Sequence, residues 1–572
     1  YQKEPLWIVL SLAMIILVDL LIIFLTNSIR VGSVIVPFVL FIFAVVVCVV
    51  YEFRGIPMMA PDILTVQTAT SVMGNYTFKL TFEQYSVILV CMAFFFTFLR
   101  LHEVKVTEKR VFHIAGFIVV ALGCGLFTNQ IILSDFMEEH QINIRMFRPM
   151  ESYQKYGGVL TFARSVGYAV VKKPEGYTTA KVDQIIQEYE KKSANEQQST
   201  AKQYPNIITV VNETFADIKV LGDFKTNEDY MPYFHSLKKN CVTGYTYASI
   251  VGGQTANTEF ELLTGNTLGF LSAGTTAFQL YIHGQMPSLV SNLKAEGYSG
   301  NKAMHPFNPY NYNRPAVYKD FGFTDFIDKF DFPKNVKRVR EYISDEANVD
   351  RIISEYEKNR KKTDQPFYMY NMTIQNHSPY DKDAANFKQP IKIESSKYDA
   401  EANRYLNLIK YSDDSLKQLT GYFEKCKEPT IILFLGDHQP RLTDEFMNKI
   451  TNGQYQTWSS EQMMKRYQVP FVIWANYDIK EQHIEKTSMN YIQSILTKTA
   501  GVKMTGYQRF LNEVRKEVPT ITSQGYWGKN GKFYQINDKG SPYYGIIQKY
   551  RMIQYNMMFD KKNRRDSFFE VS

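Results

Sequence analysis

The chain has 572 residues, 45% of them hydrophobic, with a formal net charge of +8. That length is too great for one globular unit, so two or more domains are expected. Five cysteines, of which Cys48, Cys91 and Cys124 fall in apolar stretches, exclude a disulfide framework; for Cys241 and Cys426 a single bridge or two free thiols both fit. No arginine-rich stripe, zinc-finger spacing or aromatic RNA-binding motif accompanies the basic excess, which argues against nucleic acid as a partner and suits a surface lying against anionic lipid.

Leu6 to Leu25 and Val31 to Val50 are nearly unbroken apolar sequence, followed by Tyr85 to Leu99 and Val111 to Phe127; a spanning helix needs about 20 such residues. The third stretch gains length from Leu80 to Glu83 or from tilt, and Gly123 and Gly125 in the fourth are tolerated in membrane helices. A buried globular helix is the alternative for each. Four in succession favour spans, at about 6–25, 31–50, 82–99 and 111–128 of a transmembrane domain over residues 1–133.

Arg100 to Arg110 is a short loop with four Lys or Arg, and such loops stay cytoplasmic. Everything after Phe127 is therefore expected outside, as is the loop from Tyr51 to Phe82, with Thr26 to Arg30 inside. Tyr1 then starts outside without Met or a cleavable signal, and an upstream segment with an odd number of spans is expected. Asp19, within the first span, is expected to pack against a partner helix or to be functional, because a lone carboxylate facing lipid is costly.

From Ser134 to about Tyr204 the chain is polar, with helical spacing of Val182, Ile185, Ile186 and Tyr189 between Thr179 and Glu196. This predicts juxtamembrane helices and a linker over 134–204. The strand Pro205 to Val211 opens an alternation of amphipathic helices (Ser288 to Glu296, Asn348 to Asn359, Tyr405 to Glu424) with apolar strands (Tyr298 to Met304, Phe367 to Ile374, Thr430 to Leu435, Pro470 to Trp474). Such alternation predicts an α/β domain over 205–500, a mainly parallel sheet with helices on both faces. In the 501–572 extension, the Gly-, Tyr- and Lys-rich run Gly525 to Tyr544 predicts short antiparallel strands.

Chemistry concentrates at predicted strand ends. Ile431-Ile432-Leu433-Phe434-Leu435-Gly436-Asp437-His438 reads as a buried parallel strand that delivers an acid and an imidazole at its carboxyl end, where open α/β sheets bind ligands. Asp with neutral His suits a divalent metal; the alternative is a strand-end Asp capping the next turn beside a chance His. Glu213 follows the strand ending at Val211, on the same sheet edge. Gly252-Gly253-Gln254-Thr255 precedes a helical pattern, where a hydroxyl sits in a positive field or serves simply as an N-cap. His305 and Arg314 bracket the Tyr- and Asn-rich run Pro306 to Asn313, and His377 lies in Gln375-Asn376-His377-Ser378-Pro379. Arginine forks onto phosphate and histidine can donate to it, though loop His and Arg are more often surface residues.

Asn212-Glu213-Thr214-Phe215, Gln254 to Phe260, Ala303-Met304-His305-Pro306, Asn313-Arg314, Asn376-His377-Ser378-Pro379 and Gly436-Asp437-His438 together resemble the lipoteichoic acid synthase family of bacterial glycerol-phosphate transferases, within the alkaline phosphatase and sulfatase superfamily. The resemblance runs from about Tyr51 to Asp560 and includes Phe53-Arg54-Gly55 to Gly74-Asn75-Tyr76. It implies that Thr255, not Thr214, is the nucleophile, and that Glu213, Thr255, Asp437 and His438 bind one divalent cation, Mn²⁺, with Mg²⁺ or Zn²⁺ as alternatives. It also implies that His305, Tyr312, Arg314 and His377 meet the substrate, with His377 or His305 as proton carrier. Polymerising members carry an acid where Phe307 stands and a Trp where Tyr312 stands, so the transferred group stays open.

A threonine hydroxyl is too weak an acid to ionise near neutral pH, and direct coordination to a divalent ion is the usual remedy. The function so implied is a bacterial cell-membrane, multi-pass phosphoglycerol transferase with its catalytic domain extracellular. It would move glycerol phosphate from phosphatidylglycerol, through a threonine intermediate, to a glycan, glycolipid or teichoic acid acceptor. The rivals are a phosphoethanolamine transferase or related head-group transferase, and a non-catalytic membrane-anchored envelope-binding protein. A sulfatase proper needs cysteine in Cys-x-Pro-x-Arg, a pattern that neither Cys241 nor Cys426 begins.

Overall fold

A computed structural model describes residues 5–54, 57–60, 82–100, 102–134, 136–140, 142, 149–167, 171, 173–193, 203–272 and 275–571. Most of the membrane-proximal loop, including Gly74-Asn75-Tyr76, and the polar run 194–202 lie outside the described residues. The chain divides into two compact units, residues 1–171 with 272–275, and residues 172–271 with 276–572.

In the smaller unit helices form over Pro5–Thr26, Ile29–Arg54, Phe82–Leu99 and Arg110–Phe127. Among the described residues three segments, Pro5–Thr26, Ile29–Tyr51 and Arg110–Ile132, are long and apolar enough to cross a membrane, the last because a π-turn over Thr128–Ile132 prolongs the helix. In the remaining helix the apolar stretch is the shorter Ile88–Leu99. Val9, Leu12, Ile16, Leu89, Val111 and Leu122 are exposed on these helices, as expected where lipid rather than protein covers the outer face. Two short connections meet at one end of the bundle: Ile29 N–H donates to the Val104 carbonyl (3.0 Å), and Asn27 Nδ2 to the Thr107 carbonyl (2.9 Å). Asp19 packs against the second helix at Gly32, where a Cβ would come within 2.7 Å of its Oδ1.

In the larger unit the strands are β1 (Asn206–Asn212), β2 (Cys241–Tyr247), β3 (Ser299–Met304), β4 (Asp325–Ile327), β5 (Arg338–Val339), β6 (Tyr342–Ile343), β7 (Phe367–Met372), β8 (Thr430–Gly436), β9 (Gln468–Ala475) and β10 (Gln482–Ser488). Eight of them form one sheet in the order β10-β2-β9-β8-β1-β7-β3-β4, in which only β9 runs antiparallel to its neighbours. β5 and β6 make a separate hairpin, and β11 (Thr520–Thr522), β12 (Gly525–Trp527) and β13 (Phe533–Tyr534) form the antiparallel C-terminal sheet.

Period-two alternation divides the central strands between two cores. Ile207, Val211, Leu433 and Tyr370 face one, with Phe260 and Ile492 from helices Thr255–Thr264 and Met489–Thr499. Ile208, Val210, Phe434 and Met369 face the other, with Ile352 and Leu406 from helices Asp345–Arg360 and Ala400–Phe423. Covered on both faces, the strands read as continuous apolar runs, as parallel strands do. The helix Thr179–Ser193 joins the first core through Val182, Ile185 and Tyr189, with Asp183 paired to Arg565 and Glu188 to Lys549. All five cysteines are free thiols.

Gly436 closes β8 against the chain that leaves β1: a Cβ there would lie 1.8 Å from the Phe215 carbonyl oxygen. Backbone cannot yield that distance locally, so Gly436→Ala must shift the strand end. It is expected to lower unfolding free energy by about 1–3 kcal/mol, the usual cost of overpacking, as read from urea denaturation midpoints.

Candidate active site

Register brings the acids together. Asn212 of β1 is paired with Gly436 of β8, so Glu213 and Asp437 leave neighbouring parallel strands at the same edge. Oxygens of Glu213 and Asp437 and a nitrogen of His438 lie within 4.8 Å of one another, all three residues buried. Asp437 Oδ1 accepts from the Thr214 N–H (2.6 Å) and the His438 N–H (2.8 Å). Its Oδ2 lies 3.2 Å from His438 Nε2 without the alignment of a hydrogen bond, and both atoms are buried without a partner.

The imidazole tautomer suits a ligand. His438 Nδ1 lies 3.0 Å from the Gln439 carbonyl, which makes Nδ1–H the donor and leaves the lone pair on Nε2. Burial first, then the Asp437 charge, push the Glu213 carboxyl well above the usual range, a repulsion that a cation between the two acids would relieve. A donor set of hard carboxylate oxygens and one imidazole, with two orphaned buried atoms, fits a divalent ion. Thr214, the alternative hydroxyl, donates to Glu213 Oε1 (2.8 Å).

Thr255 begins the helix Thr255–Thr264, entered through Gln254 at φ 64°. Three ties hold it beside the acids: Gly252 N–H donates to the Gln439 carbonyl (2.9 Å), Thr258 Oγ1 donates to the Asp437 carbonyl (2.8 Å), and Glu259 pairs with Arg314. Glu259 Oε1 accepts from Arg314 Nε (3.1 Å) and Nη2 (2.7 Å), while its Oε2 accepts from the hydroxyls of Tyr318 and Tyr370. Burial works against the guanidinium charge of Arg314, yet Glu259 more than compensates and holds it above its ordinary range. Tyr312 lies under Arg314, ring centre to Cζ 5.1 Å. Thr214, Gln254, Tyr312 and Asn313 all have positive φ, so backbone strain gathers around the site residues, where surrounding structure must enforce it.

His305 is buried, with Nδ1 3.0 Å from the Met372 carbonyl, and burial followed by the Arg314 charge hold it well below its usual pKa. His377 points Nδ1 at the Ser378 carbonyl (2.7 Å), and burial lowers it also. Its loop is clamped by Arg340, whose Nη2 donates to the Gln375 (2.9 Å) and His377 (2.7 Å) carbonyls. The Phe307 ring lies 6.1 Å from that of His377, nearly parallel, and 6.0 Å from that of His305.

Glu259, Arg340 and Asp345 escaped sequence reasoning. Glu259 stood inside the Gln254 to Phe260 motif, four residues after Thr255, where helical spacing could have marked it. Asp345 gave no signal, because its partners are remote in sequence. Its Oδ2 accepts from Asn212 Nδ2 (2.7 Å) and Ser412 Oγ (2.6 Å), and Asn376 Nδ2 donates to Asn212 Oδ1 (3.1 Å). One buried carboxylate thus fixes the residues immediately before Glu213 and His377.

An open α/β sheet that gathers a metal-type O,O,N cluster, a helix-start hydroxyl and a buried arginine at one edge defines a member of the alkaline phosphatase and sulfatase superfamily. The chain belongs to the sulfatase family, whose model matches residues 205–502, and it is lipoteichoic acid synthase-like within that superfamily. It is 30% identical over 433 residues, 74% of its length, to a putative cyclic beta-1,2-glucan modification protein of Rhizobium meliloti, of which it covers 65%. It is 23% identical over 374 residues to the lipoteichoic acid synthase of Staphylococcus saprophyticus, covering 63% of this chain and 55% of that one. The chain therefore spans less than two thirds of these curated relatives. The phosphoglycerol transferase GacH of Streptococcus pyogenes, solved with sn-glycerol-1-phosphate, shares the fold at TM-score 0.56 and 20% identity over 70% of this chain and 100% of that one.

Two outcomes test the supporting interactions. Arg314→Ala strands the buried Glu259 charge and is expected to cost about 3–5 kcal/mol of stability in chemical denaturation, with Arg314→Ala/Glu259→Gln recovering much of it. Asp345→Asn turns an amide toward Asn212 Nδ2 and, if the cluster holds a divalent cation, is expected to weaken its binding about 10–100-fold in calorimetry with Mn²⁺ as the probe. The exchange Asp345→Asn/Asn212→Asp should recover affinity.

Proposed function

We propose that this chain is a multi-pass phosphoglycerol transferase of a bacterial cell membrane. Its α/β domain, over about residues 205–500 with a packed C-terminal extension, would lie outside and transfer glycerol phosphate from phosphatidylglycerol to a cell-envelope acceptor, either a lipoteichoic acid-type polymer or a polysaccharide. The observation that carries this reading is the pair of orphaned atoms, Asp437 Oδ2 and His438 Nε2, beside Glu213 and the Thr255 helix. The phosphoglycerol transferase activity of the Streptococcus pyogenes neighbour and the glucan named for the Rhizobium meliloti relative support it.

A divalent ion held by Glu213, Asp437, His438 and Thr255, for which Mn²⁺ is the first candidate and Mg²⁺ or Zn²⁺ the alternatives, supplies the charge that makes a threonine hydroxyl acidic enough to react. Thr255 Oγ forms a bond to the lipid phosphorus as the bond from phosphorus to the diacylglycerol oxygen breaks, and diacylglycerol leaves with a proton. Arg314, pinned by Glu259 through Nε and Nη2, presents its Nη1 edge to the phosphate oxygens. An acceptor hydroxyl then displaces Thr255, restoring its hydroxyl. His377 and His305 each donate Nδ1–H to a carbonyl and are kept neutral by burial, so either can take the acceptor proton at Nε2. Phe307 and Tyr312 occupy the places where polymerising relatives carry Asp and Trp, which leans the acceptor slightly away from a growing polymer.

The test is incubation of the purified full chain with labelled phosphatidylglycerol and Mn²⁺. Diacylglycerol release with label on an acceptor is expected, abolished by chelation and by Thr255→Ala. Wild-type release by Thr255→Ala would remove the nucleophile assignment, and transfer from phosphatidylethanolamine instead would reassign the head group.

A further inference from the structure

Among the described residues of the larger unit, three large hydrophobic side chains are strongly exposed: Tyr310 (72%), Phe330 (73%) and Tyr398 (52%). Tyr310 and Phe330 lie on the two loops that follow β3 and β4, the strands whose ends border the site. Contacts run in a row from His377 to Phe330. From His377 the row passes to Phe307 (ring centres 6.1 Å), and Lys329 Nζ then lies 5.9 Å from the Phe307 ring and 5.0 Å from the Phe330 ring. Backbone fixes the same register, since Lys329 N–H donates to the Phe307 carbonyl (3.4 Å) and Tyr310 stands three residues beyond Phe307 on its loop. Rings left in water beside a reacting centre point to a ligand.

Charge decides its class. Lys329 is flanked by Asp328 and Asp331, whose carboxylates accept the Phe330 N–H (2.7 Å) and the Asp328 N–H (2.9 Å), and Arg351 Nη1 donates to the Asp331 carbonyl (3.0 Å). The turn is close to electrically balanced, whereas a polyphosphate chain would call for an excess of cations. Flat apolar faces beside alternating acceptors and a cation suit a neutral ligand with C–H faces and a rim of hydroxyls.

We propose that Phe307, Tyr310, Lys329 and Phe330 form the acceptor subsite, and that the acceptor is a neutral glycan. Its sugar rings stack along the row, with a primary hydroxyl of one sugar delivered past Phe307 toward His377. This rests on the transferase reading for its purpose but not for its test, which reads binding alone.

The experiment is calorimetric titration of the full chain in lipid nanodiscs with a cyclic β-1,2-glucan and, separately, with a glycerol-phosphate oligomer. The glucan is expected to bind the more tightly. Tyr310→Ala/Phe330→Ala should weaken glucan binding by about tenfold, while Tyr398→Ala leaves it unchanged. Unaltered affinity in the double variant, an equal loss in Tyr398→Ala, no glucan binding, or preference for the glycerol-phosphate oligomer would each overturn the subsite. Glucan binding lost in the double variant, with no diacylglycerol released by the wild type, would remove the transferase reading and leave the glycan site standing.

Discussion

Two carboxylates leave adjacent parallel strands at the same height, and the chain must then do something with their mutual repulsion. The pairing of Asn212 with Gly436 puts Glu213 and Asp437 side by side in a buried place, where like charges cannot both persist without help. Amides of Thr214 and His438 neutralise one oxygen of Asp437, and the Thr214 hydroxyl takes one of Glu213. What remains is an oxygen and an imidazole nitrogen with no partner in the protein. A divalent cation would complete this arrangement where an apolar core could not.

The second constraint is the buried pair Glu259–Arg314. A lone buried charge of either sign would be costly, so the pair ties the Thr255 helix to the loop after β3 with little freedom for either. The hydroxyls of Tyr318 and Tyr370 occupy the other carboxylate oxygen. The guanidinium is thereby held in one orientation by Glu259, which under the proposed function would pre-set it for a developing charge. On the opposite side of the acids, Asp345 plays the same part for Asn212 and Asn376. The site is thus held from two sides by carboxylates that do not themselves belong to the cluster.

Much of the fold could be read from the chain. The apolar stretches from Leu6 to Phe127 form helices, and the β-branched runs ending at Val211 and Leu435 are central strands, because strands covered on both faces must be apolar throughout. The strand ends and loops that carry Glu213, Thr255, His305, Arg314, His377 and Asp437 with His438 gather at one edge, the strand ends through parallel topology and Thr255 and Arg314 through the ties that hold them there. Of the third predicted span, the apolar helix among the described residues is Ile88–Leu99. The helix Thr179–Ser193, which reads as amphipathic and juxtamembrane, packs its apolar side into the larger unit's core, and its Asp183 and Glu188 pair with Arg565 and Lys549.

The sequence by itself determined which segments are helix or strand, the parallel class of the sheet, and the chemical character of the residues at its edge, because periodicity and local motifs carry that information. Tertiary structure decided which polar atoms remain unpartnered, that Glu259 is the carboxylate that locks Arg314, that Asp345 stands behind two strand ends, and that Phe307, Lys329 and Phe330 form one row. Each of those depends on groups tens to hundreds of residues apart meeting in a buried or shared place. No local pattern records such a meeting, since it follows from strand order and register rather than from spacing along the chain.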